Sequence, residues 1–206
     1  MLSPYRPRNL AQLADKLHCS FQTEDELDLV SQLQDFRLFS QGRDRRAENV
    51  LRHHDGLLEF DMSIFDYSYA GWGKGKDPHK RSWQTVFFVQ SKALSLPELE
   101  LKPETLGHKL AGLLGYEDID FVRFPKFSGQ YYLTGPDEEY IRHHFNDGVL
   151  QYFTEHKGWT VEGLGFYLVF YRKGRLVPSA EIEAFYRRGI NVFNLLSGTE
   201  HSPEAT

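Results

Sequence analysis

The chain has 206 residues, 40% hydrophobic and 26% charged, a composition that reads as a soluble globular protein able to bury a substantial core. Its formal net charge of −5 disfavours nucleic acid as a partner, and its single cysteine, Cys19, excludes an internal disulfide and a cysteine-rich metal site. No stretch approaches the ~20 apolar residues of a transmembrane segment, and residues 1–18 lack the apolar run of a signal peptide, so a cytoplasmic protein is expected.

In chain order, Leu10, Leu13, Ala14 and Leu17 recur at helical spacing, with Asn9 as a fitting N-cap. After an extended piece at residues 19–21, Thr23 and Glu26 have capping-box spacing ahead of Leu27, Val30 and Leu33, which predicts a second helix. Phe36, Leu38 and Phe39 predict a short strand, and residues 41–46 a solvated basic turn. Residues 48–54 read as a strand, joined by a two-residue Asp55–Gly56 turn to a long strand over 57–70. In that strand Leu58, Phe60, Met62 and Ile64 share one face, whereas Phe65, Tyr67 and Tyr69 occupy the other. This change of side predicts a β-bulge near residues 63–65. A polar loop, residues 71–81, leads to a return strand over 83–89 that is apolar on both faces at its centre and therefore central.

Residues 94–101 predict an edge strand guarded by Pro97. Leu106, Leu110, Leu113 and Leu114 predict a helix that closes near Gly115, followed by a connector over 116–127 and a strand over 130–133. A turn at residues 134–136 opens a helix with Ile141 and Phe145, which is interrupted at 146–148 and resumes through Val149, Leu150 and Phe153. Residues 159–161 and 166–171 form a hairpin. Ser179 opens the longest helix, with Ile182, Phe185, Tyr186, Ile190, Phe193 and Leu196 down one side. Helices and strands cluster, so the expected fold is a single α+β domain with a largely antiparallel sheet, packed helices and a long C-terminal helix. Within it lie a helical part (1–47), a sheet core (48–134), a segment of helix pair, hairpin and C-terminal helix (135–197), and a disordered tail (198–206).

The loop over 71–81 sets three glycines beside Lys74, Lys76, Lys80 and Arg81, but it lacks the G-x-x-x-x-G-K-[ST] pattern and the following helix of a phosphate-binding loop. With Trp72, Tyr67 and Tyr69 alongside, it is the candidate ligand-binding surface, suited to a protein partner or a small anionic ligand. His53 and His54, with Glu59 and Asp61 on the paired strand, are the candidate ligands of an alternative reading, a metal-assisted hydrolase. Adjacent histidines on a strand point to opposite faces, which opposes that reading. Cys19 has no identifiable base partner and reads as a small buried residue. The pairs Asp118/Asp120 and Glu138/Glu139 fit a half-exposed strand and the first turn of a helix. No G-x-S-x-G, G-x-G-x-x-G or kinase-type signature is present, and the sequence assigns neither a cofactor nor an oligomeric state.

The run F-P-K-F-S-G-Q-Y-Y-L-T-G-P-D at 124–137, the helix pair over 138–156, the hairpin ending in Y-L-V-F-Y, and the upstream strand before L-P-E-L-E-L make a recognisable order. Over residues 49–176 this pattern resembles an uncharacterised bacterial domain family of unknown function whose members often follow transmembrane helices. The resemblance implies a fold and supplies no catalytic motif. The expectation is a non-catalytic binding or accessory module of a bacterial cytoplasm.

Overall fold

The computed structural model describes residues 3–56, 59–71, 81–104 and 117–199. The helix expected over 106–114 and most of the tail lie outside them. Helix α1 (Arg6–Lys16) precedes strand β1 (Ser20–Glu24), and two single-turn helices, α2 (Leu29–Gln32) and α3 (Arg37–Ser40), lead into the strands β2 (Arg43–Asp55), β3 (Phe60–Ala70), β4 (Arg81–Ser91) and β5 (Leu96–Pro103). There follow α4 (Pro125–Ser128), β6 (Tyr131–Thr134), α5 (Glu138–His144), α6 (Asp147–Glu155), β7 (Thr160–Gly165), β8 (Tyr167–Tyr171) and the long α7 (Ile182–Ser197). The strands form one antiparallel sheet in the order β1–β2–β3–β4–β8–β7–β5–β6. This is the α+β architecture that the clustering of elements predicts.

The change of side within β3 has a different cause from the one expected. The strand runs in unbroken register against β4, from Phe60 opposite Ser91 to Ala70 opposite Arg81, and holds no bulge at 63–65. It is instead covered on both faces. Phe60, Met62 and Ile64 join a core with α1, α4, α5, α6 and α7, and Phe65, Tyr67 and Tyr69 join a second core with α2 and α3 on the opposite face. The irregularity lies next door. Strand β2 slips register twice against β3, between Arg43 and Arg46 and between Glu48 and Leu51, and holds Asp44 (φ 49°) and Asn49 (φ 56°) there. Asp and Asn tolerate that left-handed backbone better than other residues with a side chain.

Other differences have equally local reasons. Leu38 and Phe39 are both fully buried in the second core, which one helical turn permits and a strand, with its alternating sides, does not. Thr23 belongs to β1, and the second helix is a single turn after Asp28. The turn expected at 41–46 is largely the start of β2, Asn9 sits inside α1 behind Tyr5 at the N-cap, and Asp55 pairs with Phe60, so the hairpin connection exceeds two residues. Strand β5 is internal, between β7 and β6, and Pro97 falls in the register shift between Leu96 and Leu99 where no ladder N–H is required.

One ion pair ties the first helix to the centre of the sheet. The Arg6 guanidinium donates to both Asp66 carboxylate oxygens, at 2.5 and 2.6 Å, and to the Val177 carbonyl at 2.7 Å. Asp66 also accepts from Asn49 Nδ2 (3.0 Å), the bulge residue, and from Thr85 Oγ1 (3.0 Å), whose oxygen accepts in turn from the Val177 N–H. Both charged side chains are buried, at 6% and 1% exposure. Helix α7 crosses β4 at Gly189, where an added Cβ would stand 2.4 Å from the Phe87 ring. Replacing Asp66 with Ala strands a buried guanidinium and is expected to cost about 3–5 kcal/mol, measured by urea unfolding. Gly189→Ala is expected to cost about 1–3 kcal/mol through overpacking against Phe87. Wild-type midpoints in both variants would refute this account of the sheet's attachment to its helices.

Candidate functional site

The apolar residues of β5, β7 and β8 alternate towards the first core, through Leu99, Leu101, Val161, Leu168 and Phe170, so the residues between them turn to the face that carries α3. There Glu100 and Lys102 of β5, Thr160 and Glu162 of β7, and Tyr171 of β8 lie side by side through the pairings Glu100–Glu162 and Thr160–Tyr171. Helix α3 sinks Leu38 and Phe39 into the second core, which leaves Arg37 and Ser40 beside these strands. Between them opens a cleft of about 600 Å³ lined by Arg37, Ser40, Gln41, Glu100, Lys102 and Tyr171, with Thr160, Gly158, Pro103 and Lys173 at its other borders. A second hollow of about 150 Å³ shares Arg37 and Glu100 and reaches Glu162, Thr134 and Gly135.

The one carboxylate that lines this cleft is engaged from within, and the lining cations Arg37, Lys102 and Lys173 outnumber it. Glu100 Oε2 accepts from Arg37 at 3.1 Å and from Lys102 Nζ at 2.8 Å. Lys102 also stands 5.2 Å from the centroid of the Tyr132 ring. Glu162 is 2% exposed, and its Oε1 accepts from the Tyr171 hydroxyl at 2.8 Å and from the Leu38 N–H at 3.2 Å. Burial pushes the Glu162 carboxyl up from 4.5 to about 7; the Tyr171 bond opposes the rise and the charge of Glu100 adds to it. The Tyr171 phenol, buried beside the same two carboxyls, lies well above its ordinary range and stays protonated at neutral pH. A carboxyl so enclosed holds α3 against the sheet and offers little of itself to a substrate.

The residues singled out in the sequence are placed elsewhere. Trp72, Lys74, Lys76 and Lys80 lie outside the described residues. Tyr67 and Tyr69 are buried in the second core, at 0% and 8% exposure, with the Tyr67 ring 4.6 Å from that of Phe39. Tyr69 still reaches the cleft, since its hydroxyl donates to Gln41 Oε1 at 3.1 Å. At the β2–β3 hairpin His54 Nδ1 is 3.2 Å from Asp61, which Arg52 also engages through both oxygens. His53 pairs across with Met62 on the opposite face and approaches the His18 carbonyl, and Glu59 bonds Lys92 at 2.6 Å. These side chains do not converge, and among the described residues no group of three or more His, Cys, Asp or Glu could hold a metal ion. Burial raises the Cys19 thiol to about 11, which keeps it protonated and unreactive at neutral pH. Asp118 accepts from the Leu133 N–H, and Glu138 pairs with Arg142 one turn away.

The cleft left one trace in the sequence. In E-L-E-L-K, residues 98–102, charged and apolar residues alternate strictly, the mark of a strand with a polar face. Glu162, a lone acid in an apolar hairpin, gave no sign of its partners.

No protein-family model and no curated protein matches the chain. Its fold is similar to that in the crystal structure of the mycobacterial trehalose monomycolate transport factor A, TtfA, with a TM-score of 0.67 and 13% identity, over 98% of this chain and 100% of that one. At that identity the likeness is one of fold. No helix among the described residues is long and apolar enough to cross a membrane.

The Glu162 carboxyl makes stability depend on pH in a defined direction. A carboxyl whose pKa is higher folded than unfolded binds its proton more tightly in the native state. Its contribution is complete below 4.5 and is lost as pH rises through about 7. Glu162→Gln removes that loss, so the stability of the variant relative to wild type should grow by on the order of 3 kcal/mol between acidic and mildly alkaline pH. Parallel pH–stability curves for the two proteins, from urea melts, would refute the assignment.

Proposed function

We propose that the protein is a non-catalytic binding or accessory module that holds a small polyhydroxylated ligand, a sugar or a sugar headgroup, in the cleft beside α3. The observation that carries this reading is a cleft of about 600 Å³ whose one lining acid, Glu100, is already engaged by Arg37 and Lys102, while Glu162 in the adjoining hollow is engaged by Tyr171 and the Leu38 N–H. With Glu100 paired, the cleft offers, beside the Lys173 ammonium, the hydroxyls and amide of Ser40, Gln41 and Thr160, groups of a kind that can both donate and accept hydrogen bonds. Such a set suits the hydroxyls of a sugar better than a metal ion. The enclosure of Glu162 supports a non-catalytic role, since a general acid or base must reach its substrate.

The structural neighbour is named as a transport factor for trehalose monomycolate, and its shared fold is compatible with an accessory role here. The pattern resemblance over residues 49–176 to a bacterial family of unknown function is compatible with the same role.

Calorimetric titration with trehalose and with glucose tests the reading. Saturable binding of either sugar to wild type is expected, weakened roughly tenfold by Gln41→Ala or Thr160→Val, each of which removes a hydrogen-bonding group of the lining. Folded wild-type protein that binds neither sugar, or variants that bind as wild type does, would overturn it.

A further inference from the structure

On the opposite face of the sheet, at the end where β7 begins, two arginines share one indole. The Arg172 guanidinium carbon lies 4.1 Å and that of Arg188 5.1 Å from the centroid of the Trp159 ring. The ring itself is fixed from below, stacked on Phe170 at 4.5 Å and on Phe185 at 5.6 Å, and is 3% exposed. Arg172 comes from the residue after β8 and Arg188 from the middle of α7, so the fold brings the two cations together from distant parts of the chain. Among the described residues neither forms an ion pair with a carboxylate. Arg175 adds a third positive charge to the group and Glu181 a negative one nearby; burial, then Arg188 and Arg175, depress the Arg172 pKa, and Glu181 opposes them.

The hydrogen-bonding donors around this ring are also unsatisfied. Of the seven buried side-chain polar atoms without a hydrogen bond among the described residues, three gather here: Trp159 Nε1, Arg172 Nε and the Tyr152 hydroxyl. The Tyr152 hydroxyl lies beside Arg188 and Asn191 without forming a hydrogen bond of good geometry. Arg172 spends one amino group on the Lys157 carbonyl at 2.9 Å, which fixes its orientation. Like charges that converge on one spot, among donors that lack acceptors, describe a place built for an acceptor that carries negative charge.

We propose that Arg172 and Arg188, seated on Trp159, form a binding site for a phosphate group. Two guanidinium forks offer paired N–H donors that match phosphate oxygens, and two to three positive charges balance a dianion better than a single carboxylate. The site lies on the other face of the sheet from the cleft beside α3 and is independent of the sugar reading.

Thermal unfolding of the full chain in sodium phosphate, against sodium chloride of equal ionic strength, tests this site. Wild type should show a saturable rise in Tm with low-millimolar phosphate that chloride does not reproduce. In Arg188→Gln the half-saturation concentration should rise roughly tenfold or more, or the shift should vanish. The phosphate-free Tm of each protein is the baseline against which its shift is read. Arg188→Lys should keep part of the response, and Arg172→Gln serves as a second variant should Arg188→Gln fail to fold. If free phosphate has no effect but phosphatidylglycerol vesicles capture wild type, and neither Arg188→Gln nor phosphatidylcholine vesicles do so, the phosphate belongs to a lipid headgroup. Equal shifts in phosphate and chloride with no vesicle capture, or a full response in both Gln variants, would overturn the site.

Discussion

The buried pair of Arg6 and Asp66 sets the terms for the rest of the molecule. An unpaired charge at either position, in the middle of an eight-stranded sheet, would be severely unfavourable, so several elements must assemble around it at once. Helix α1 has to lie where Arg6 reaches β3, and β2 has to bulge so that Asn49 turns its amide to the carboxylate. Thr85 of β4 and the backbone at Val177 complete the shell. The pair marks a boundary as well: Phe60, Met62 and Ile64 fill the core on the Asp66 side at one end of β3, and Phe65, Tyr67 and Tyr69 fill the opposite core at the other.

The two faces of the sheet are unequally dressed. The first core draws on α1, α4, α5, α6 and α7, whereas the helices that contribute to the second are the single turns α2 and α3. A face covered by so little must satisfy its exposed strands with polar side chains, and β5, β7 and β8 supply them. The bonds from Tyr171 and the Leu38 amide to Glu162 place a carboxyl at the junction of a short helix and the sheet, where its ionisation bears on how firmly α3 is held. The cleft is thus a by-product of asymmetry in the packing.

Much of this architecture was legible in the sequence where a periodic signal ran long enough. The stripe from Ile182 to Leu196 is α7, the two apolar runs near 160 and 170 are the β7–β8 hairpin, and the doubly apolar stretch around Phe87 is a central strand. The failures are equally instructive. A single turn such as α3 is too short to show a period, and its adjacent Leu38 and Phe39 imitate a strand buried on both sides. Asp44 carries the signature of a turn because bulges and turns ask the same backbone of it. Pro97 marks an edge in most sheets but is accommodated here by a register shift. The cleft stayed hidden because the partners of Glu162 are 9 residues away at Tyr171 and 124 away at Leu38, a convergence that only the assembled sheet creates.

The order of the strands also has a consequence for synthesis. Strands β1 to β4 follow one another in sequence and in space, so this meander can form as soon as it is made, but the far side of β4 waits for β8, near the end of the chain. Until residues 167–171 emerge, the run from Val86 to Gln90 is a free edge with Phe87 and Phe88 upon it. An unpaired apolar edge of this kind is a template for wrong partners, and non-local pairings close slowly. A nascent chain is therefore most vulnerable to self-association just before its last quarter leaves the ribosome, and any truncation that removes the β7–β8 hairpin makes that vulnerable state permanent.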